Sequence, residues 1–298
     1  MELWYRAFDK LWRYTEKCDA KTHAHQVLPA GITEKTDIPY TDSGNHYHLF
    51  DAYYPTVNDG RLPVIIDIHG GGWMYADKDL NKFYNEYLAS RGFLVFSVSY
   101  RLVPDVYVKE QLRDVCLALR AIGAEMATLP CDPEKIMLTG DSAGGQLAAY
   151  AALLAQSPAL REYFGTVDPG LSFSCITLTS PVAYMNDASV LGVYGRLMWG
   201  EKPFRRCCAD YMNIDEALEQ VDTLPPVLLI TSTGDVLAQK QTRRLHLDLL
   251  KKGVSSTLLD FGSPGGKNLP HVFAVLEPES PEGRSCLDKT CAFFRAHF

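Results

Sequence analysis

The chain has 298 residues, 29 of them basic and 36 acidic, and its formal net charge of −7 excludes a surface built mainly to hold nucleic acid. With 47% apolar and 22% charged residues, the composition is that of a folded globular protein of one or two domains, neither disordered nor fibrous. No apolar run nears the roughly 18 residues that cross a bilayer, and the opening MELWYRAFDKLWRY carries charges where a signal peptide needs an apolar stretch, so the expectation is a cytoplasmic chain with no membrane partner.

The first 45 residues begin with Leu3, Trp4, Ala7, Phe8, Leu11 and Trp12 at helical spacing, which predicts an amphipathic helix resting on other structure. Residues 46–54 alternate and favour aromatics, and Pro55 with Asn58-Asp59-Gly60 closes them as a strand followed by a turn. A βαβ alternation then sets in. Val64–Ile68 reads as a buried strand, 80–91 as a helix, 94–98 as a strand, the stretch from Val108 through Leu119 as a long helix, 135–139 as a strand and 143–156 as a small-residue helix. Further strands are predicted at 175–179, 227–231 and 255–259, with a helix at 239–251. Between Pro181 and Pro225 the alternation breaks into a stretch with Met185, Tyr194, Met198, Trp199, Phe204, Tyr211 and Met212, which reads as an insertion able to form a lid with the N-terminal helix. The eight cysteines (18, 116, 131, 175, 207, 208, 286 and 291) show no C-x₂-C pair and no histidine spacing suited to zinc, so free thiols and no metal are expected.

Three motifs carry chemistry. Gly140-Asp141-Ser142-Ala143-Gly144-Gly145 follows a predicted strand and opens a predicted helix. A bare G-x-S-x-G also arises as an ordinary tight turn, but in this context it is a nucleophile elbow: a strained turn lifts Ser142 Oγ above the sheet, and Gly140 and Gly144 remove side chains that would collide. Earlier in the chain, His69-Gly70-Gly71-Gly72-Trp73 ends the strand Val64–Ile68. Acyl transfer needs N–H donors aimed at an oxygen that becomes negative, and the expected donors are the amides of Gly71, Gly72 and Ala143. A phosphate-binding loop fits these glycines poorly, because they do not open a helix. His69 is expected to brace the loop, and Asp141 to order the elbow.

A serine nucleophile needs a base and an acid. Of the eight histidines, His271 stands in a loop after the last predicted strand and completes a Ser…acid…His order. Asp235, just beyond the strand 227–231, is the favoured acid, holding His271 Nδ1–H and stabilising the imidazolium. Asp260 is its rival and Asp222 a weaker one.

With these residues in place, the sequence resembles the hormone-sensitive-lipase-like branch of the α/β-hydrolase esterases, on HGGGW at 69–73, YRLVPD at 100–105, GDSAGG at 140–145, GDVL at 234–237 and His271-Val272-Phe273. The resemblance implies an α/β fold of the α/β-hydrolase type: a mostly parallel central sheet flanked by helices, with a core of 46–180 and 226–298. It implies a helical cap built from 1–45 and the insertion 181–225. It also implies a Ser142–Asp235–His271 triad that hydrolyses carboxylic esters through an acyl-enzyme, with no cofactor, on a small-molecule ester, and it admits a homo-oligomer. Val103 and Asp105 depart from the family's usual YRLAPE, as do Ala238, Gln239 and Lys240 from the acids usual after the triad aspartate. The segment 262–270 looks longer than the usual link to the base and is expected to be mobile.

Bulky Trp73 and Trp199 would narrow the pocket to short, acetyl-like acyl groups, while Tyr75, Tyr184 and Tyr194 are placed to meet the alcohol part, such as an acetylated sugar or an aryl ester. An amidase or arylformamidase with the same triad is the alternative, although those enzymes commonly carry a bulkier residue where this chain has Gly72. A ligand-binding protein on a hydrolase scaffold is a further reading. Such proteins typically lose the serine or the base, and both are present here.

Overall fold

The computed structural model describes residues 2–186, 189–202, 209–262 and 268–298. Phe204, Cys207 and Cys208 lie outside them, as does most of the 262–270 link. Eight strands form one sheet: β1 (Ile32–Pro39), β2 (Leu49–Pro55), β3 (Leu62–Ile68), β4 (Leu94–Val98), β5 (Cys131–Asp141), β6 (Cys175–Thr179), β7 (Val227–Ser232) and β8 (Ser256–Phe261). Their spatial order is β1-β2-β4-β3-β5-β6-β7-β8; β1 and β2 run antiparallel to their neighbours and all other pairs are parallel.

The helices among the described residues are α1 (Glu2–His23), α2 (Lys82–Ala89), α3 (Val108–Glu125), α4 (Ser142–Gln156), α5 (Pro158–Phe164), α6 (Val190–Met198), α7 (Ile214–Leu218), α8 (Gln239–Lys251), α9 (Phe273–Leu276) and α10 (Pro281–Arg295). A parallel sheet needs cover on both faces, and the central strands are apolar on both. Val64, Ile66, Ile68, Leu94, Phe96, Val98, Ile136 and Leu138 join the cluster under α3, α4, α5 and α8, whereas Ile65, Val95 and Met137 turn to the cluster made with α2, α9 and α10. α4 is buried from Ala143 to Leu154; its alanines and glycines let it lie close against the strands, which fixes the strand-to-helix turn at its start.

The strand expected over 46–54 is β2. The sheet begins earlier, with β1, inside the 1–45 stretch assigned to the cap. β1 is an edge strand, ITEKTDIP, with polar residues at four successive exposed positions and a register shift between Lys35 and Ile38, so it lacks the alternation that marks a strand in sequence.

Helix α1 and the 181–225 stretch do pack together. Tyr5 Oη donates to the Leu197 carbonyl at 2.9 Å, Phe8 meets Tyr194 edge-on at 4.6 Å, and Trp12 Nε1 donates to Tyr194 Oη at 3.0 Å. Among the described residues no helix is long and apolar enough to cross a membrane, and the six described cysteines are unpaired.

Candidate active site

β5 runs into α4 through Asp141 and Ser142. Ser142 has φ of +51°, a left-handed conformation that costs an L-residue about 1 to 2 kcal/mol. A methyl group at Gly140 would strike the Gly144 carbonyl, and one at Gly144 would strike the carbonyls of Ile68 and His69, so both glycines are needed for the turn to form. Trp73 at +63°, Ser180 at +50° and Val272 at +51°, all beside the site, share this conformation.

The loops after β7 and β8 bring the other two groups to the serine. His271 Nε2 lies 2.9 Å from Ser142 Oγ, and His271 Nδ1 lies 2.9 Å from Asp235 Oδ1. Asp235 is fully buried while a quarter of the His271 side chain is exposed. Asp235 Oδ1 also accepts the amides of Leu237 and Ala238 at 3.2 and 2.9 Å. Burial alone would push its carboxyl up, but the hydrogen bond and charge of His271, with help from Ser180 and the Ala238 amide, hold it below the ordinary carboxylate value. Asp260, the rival acid, is held instead by Arg243 at 2.6 Å.

The glycine loop lies against the elbow. Asp141 Oδ1 accepts the Gly70 amide at 3.0 Å and Asn81 Nδ2 at 2.8 Å, so the residue before the nucleophile ties elbow to loop. Gly71 and Gly72 have φ of +95° and +56°, values open to glycine without strain. His69 is buried and stacked on Tyr100 at 4.3 Å, and its Nδ1 meets the Gly70 carbonyl at 2.8 Å. Burial pushes its imidazole down to about 4, so it is neutral and braces the loop.

The five aromatic residues expected around substrate are differently engaged. Tyr75 stacks on Trp12 at 6.0 Å and lines a cavity of about 350 Å³ with Trp12, Met74 and Asp77. Trp73 is buried, and Tyr194 donates its hydroxyl hydrogen to the Gly72 carbonyl. Tyr184 and Trp199 are committed elsewhere. The Tyr184 hydroxyl donates to Asp248 at 2.6 Å under the Arg244 guanidinium, and Trp199 packs edge-on against Tyr150 and Phe164. Both residues brace the 181–225 stretch. Trp12, Tyr100 and Ser180 were not singled out from sequence; Tyr100 does stand in the YRLVPD motif, which was the available signal. Among the described residues, no group of three or more His, Cys, Asp or Glu is arranged to hold a metal.

The BD-FAE family model matches residues 50–186. The crystal structure of a tributyrin-phosphonate-inhibited esterase B from Lactobacillus rhamnosis superposes with a TM-score of 0.93 and 30% identity, covering 99% of this chain and 96% of that one. The chain belongs to the esterases of the α/β-hydrolase fold, with esterase B. Carboxylesterase NlhH from Mycobacterium tuberculosis is 37% identical over 127 residues, 42% of this chain and 37% of that protein. The isoprenylcysteine alpha-carbonyl methylesterase ICME of Arabidopsis thaliana is 26% identical over 62% of this chain and 45% of its own length. The chain thus spans less than half the length of these two curated relatives. An esterase of the bacterial hormone-sensitive lipase family, at 22% identity and a TM-score of 0.71, shares the fold.

Proposed function

We propose that the chain is a serine carboxylesterase acting on small esters with short acyl chains. One observation carries this reading: the His271 ring bridges Ser142 Oγ and Asp235 Oδ1 at 2.9 Å on each side. His271 Nε2 takes the hydroxyl proton as Ser142 Oγ attacks the carbonyl carbon, and the oxygen that gains the negative charge sits among the amides of Gly71, Gly72 and Ala143. The C–O bond to the alcohol then breaks, and the leaving oxygen takes the proton from His271. Water repeats the sequence on the acyl-serine and releases the acid. Asp235 keeps its charge throughout and stabilises the imidazolium. The phosphonate that inhibits esterase B is built on tributyrin, which supports short acyl chains here too.

A 4-nitrophenyl ester series from acetate to decanoate, run on wild type and Ser142→Ala, tests the proposal. Turnover falling off with chain length and a loss of about 10⁴-fold to 10⁶-fold in kcat for the variant are expected. A wild-type chain inert across the series, or a variant that keeps its rate, overturns it.

A further inference from the structure

In a trans peptide the C=O and the following N–H point in opposite directions, so whatever holds a carbonyl also aims the next amide. Three successive carbonyls of the glycine loop are each held. The Gly70 carbonyl lies 2.8 Å from His69 Nδ1 and 3.1 Å from Tyr100 Oη, which sets the Gly71 amide. The Gly71 carbonyl accepts the amides of Met74 and Tyr75 at 3.2 and 3.0 Å, which sets the Gly72 amide. The third carbonyl, on Gly72, accepts the Tyr194 hydroxyl.

The first two clamps come from the sheet-borne core and from the loop itself, whereas the third comes from α6 in the 181–225 stretch. Tyr194 is in turn aimed from α1: its oxygen accepts the Trp12 indole N–H at 3.0 Å, which leaves its own hydrogen for the Gly72 carbonyl. Trp12 also lies directly on Gly72, where a methyl group would strike the indole ring. The third clamp sets the Trp73 amide directly. Gly71 and Gly72 are both in the left-handed region and glycines pass readily between backbone basins, so without that clamp the Gly72–Trp73 peptide can rotate, which shifts the Met74 and Tyr75 amides that hold the Gly71 carbonyl and so releases the Gly72 amide.

We propose that Tyr194, oriented by Trp12, is a positioning residue that locks the glycine loop in its oxyanion-binding conformation, so that docking of α1 and α6 completes the site. Tyr194 does not touch the reacting atoms. It acts on the charge that appears in the transition state and leaves ground-state binding alone, an effect that belongs to kcat and not to KM. The proposal rests on the serine-esterase reading and deepens it.

The test is steady-state kinetics on 4-nitrophenyl acetate with Tyr194→Phe, which keeps the ring against Phe8 and removes only the hydroxyl, and with Trp12→Phe, which keeps an aromatic ring and removes the N–H. Tyr194→Phe is expected to lower kcat by about tenfold to 100-fold, below or at the edge of the 10²-fold to 10³-fold cost of deleting a direct donor. KM should stay within about twofold, and the pH profile of kcat should keep its shape because His271 and Asp235 are untouched. Trp12→Phe should show the same split with a smaller loss, and it serves alone if the tyrosine variant does not fold. A kcat equal to wild type, or a loss carried wholly by KM, overturns the proposal while leaving the esterase reading in place. Turnover that survives Ser142→Ala brings down the esterase reading, and this one with it.

Discussion

Asp67 on β3 and Asp141 at the elbow, both buried, share one side chain: Asn81 Nδ2 donates to Asp67 Oδ2 at 3.0 Å and to Asp141 Oδ1 at 2.8 Å. Burial pushes Asp67 up to about 7, with Asp141 adding repulsion, and burial likewise pushes Asp141 up to about 6. Two carboxylates under the catalytic turn therefore resist ionising together.

The consequence is a pH dependence of stability. Between the ordinary aspartate value near 4 and a native value near 7, the folded chain keeps a proton on Asp67 that the unfolded chain has released. Unfolding releases that proton, so stability contributed here is full below about pH 4 and declines as pH rises toward 7. Asn at this position imitates the protonated acid and can still accept from Asn81 and Asn85. Urea unfolding of wild type and Asp67→Asn across pH 4.5 to 8 should show the variant gaining on wild type with rising pH, by on the order of 1 to 3 kcal/mol. Parallel curves would place the shared proton elsewhere. The buried neutral His69 costs stability as pH falls below about 6.5 in both proteins, so the difference between them isolates the aspartate.

The two candidate acids separate cleanly by substitution. Asp235→Asn keeps an oxygen for the Leu237 and Ala238 amides but removes the charge that steadies protonated His271, and kcat should fall by about 10³-fold to 10⁴-fold with the fold intact. Asp260→Asn loses only its pairing with Arg243, half exposed on α8, and its kcat should stay within about twofold of wild type. Reversed effects, read from kcat and circular dichroism on the same samples, would move the acid to Asp260.

How legible these features were in the sequence depended on how local each signal is. β6 and α8 have the same ends in sequence and structure. A central parallel strand is one short apolar run, and the Leu245–Leu249 spacing on a polar helix marks a single buried stripe. β1 escaped because an edge strand with TEKTD at its centre has no buried face to reveal it. α10 also escaped, although Ser280 caps it, Pro281 opens it and Cys286, Leu287, Thr290, Cys291 and Phe294 line one side; those start and spacing signals were there to be read. Ser142, Asp235 and His271, which the structure links by hydrogen bonds, were legible because each stands in a turn or loop beyond a strand, within a short motif of its own. The partnership of Trp12 with Tyr194 was not, since residues 182 apart leave no periodicity or spacing behind, and only the docking of α1 on α6 brings them together.

Lys78 anchors the β1–β2 edge of the sheet. Its Nζ lies 3.0 Å from Asp37, 3.0 Å from Asp51 and 3.3 Å from Asp79, and its side chain and that of Asp51 are almost wholly buried. Removing one partner of a buried ion pair strands the other charge, so Lys78→Met should cost about 3 kcal/mol or more in urea unfolding. Arg13→Met, which loses an exposed pairing with Asp9, should leave stability almost unchanged. Equal costs for the two would mean that water reaches the Lys78 cluster.

Gly72 tests whether the N-terminal helix is part of the catalytic site or only leans on it. A methyl group there meets two obstacles: the φ of +56°, which costs an L-residue about 1 to 2 kcal/mol, and the Trp12 ring, which occupies the space. Gly72→Ala should therefore lower kcat/KM on 4-nitrophenyl acetate by about 100-fold or more, since the displaced amide is one of the expected oxyanion donors. Trp12→Ala opens the space but releases Tyr194, so it too should lower the rate. If the collision is with Trp12, the double variant must lose less than the product of the two single losses, because the added methyl no longer has a ring to displace. The left-handed backbone penalty persists in both backgrounds, so rescue should be partial. Losses that simply multiply across the four proteins would show that Gly72→Ala fails through backbone strain alone, with no collision against the Trp12 ring.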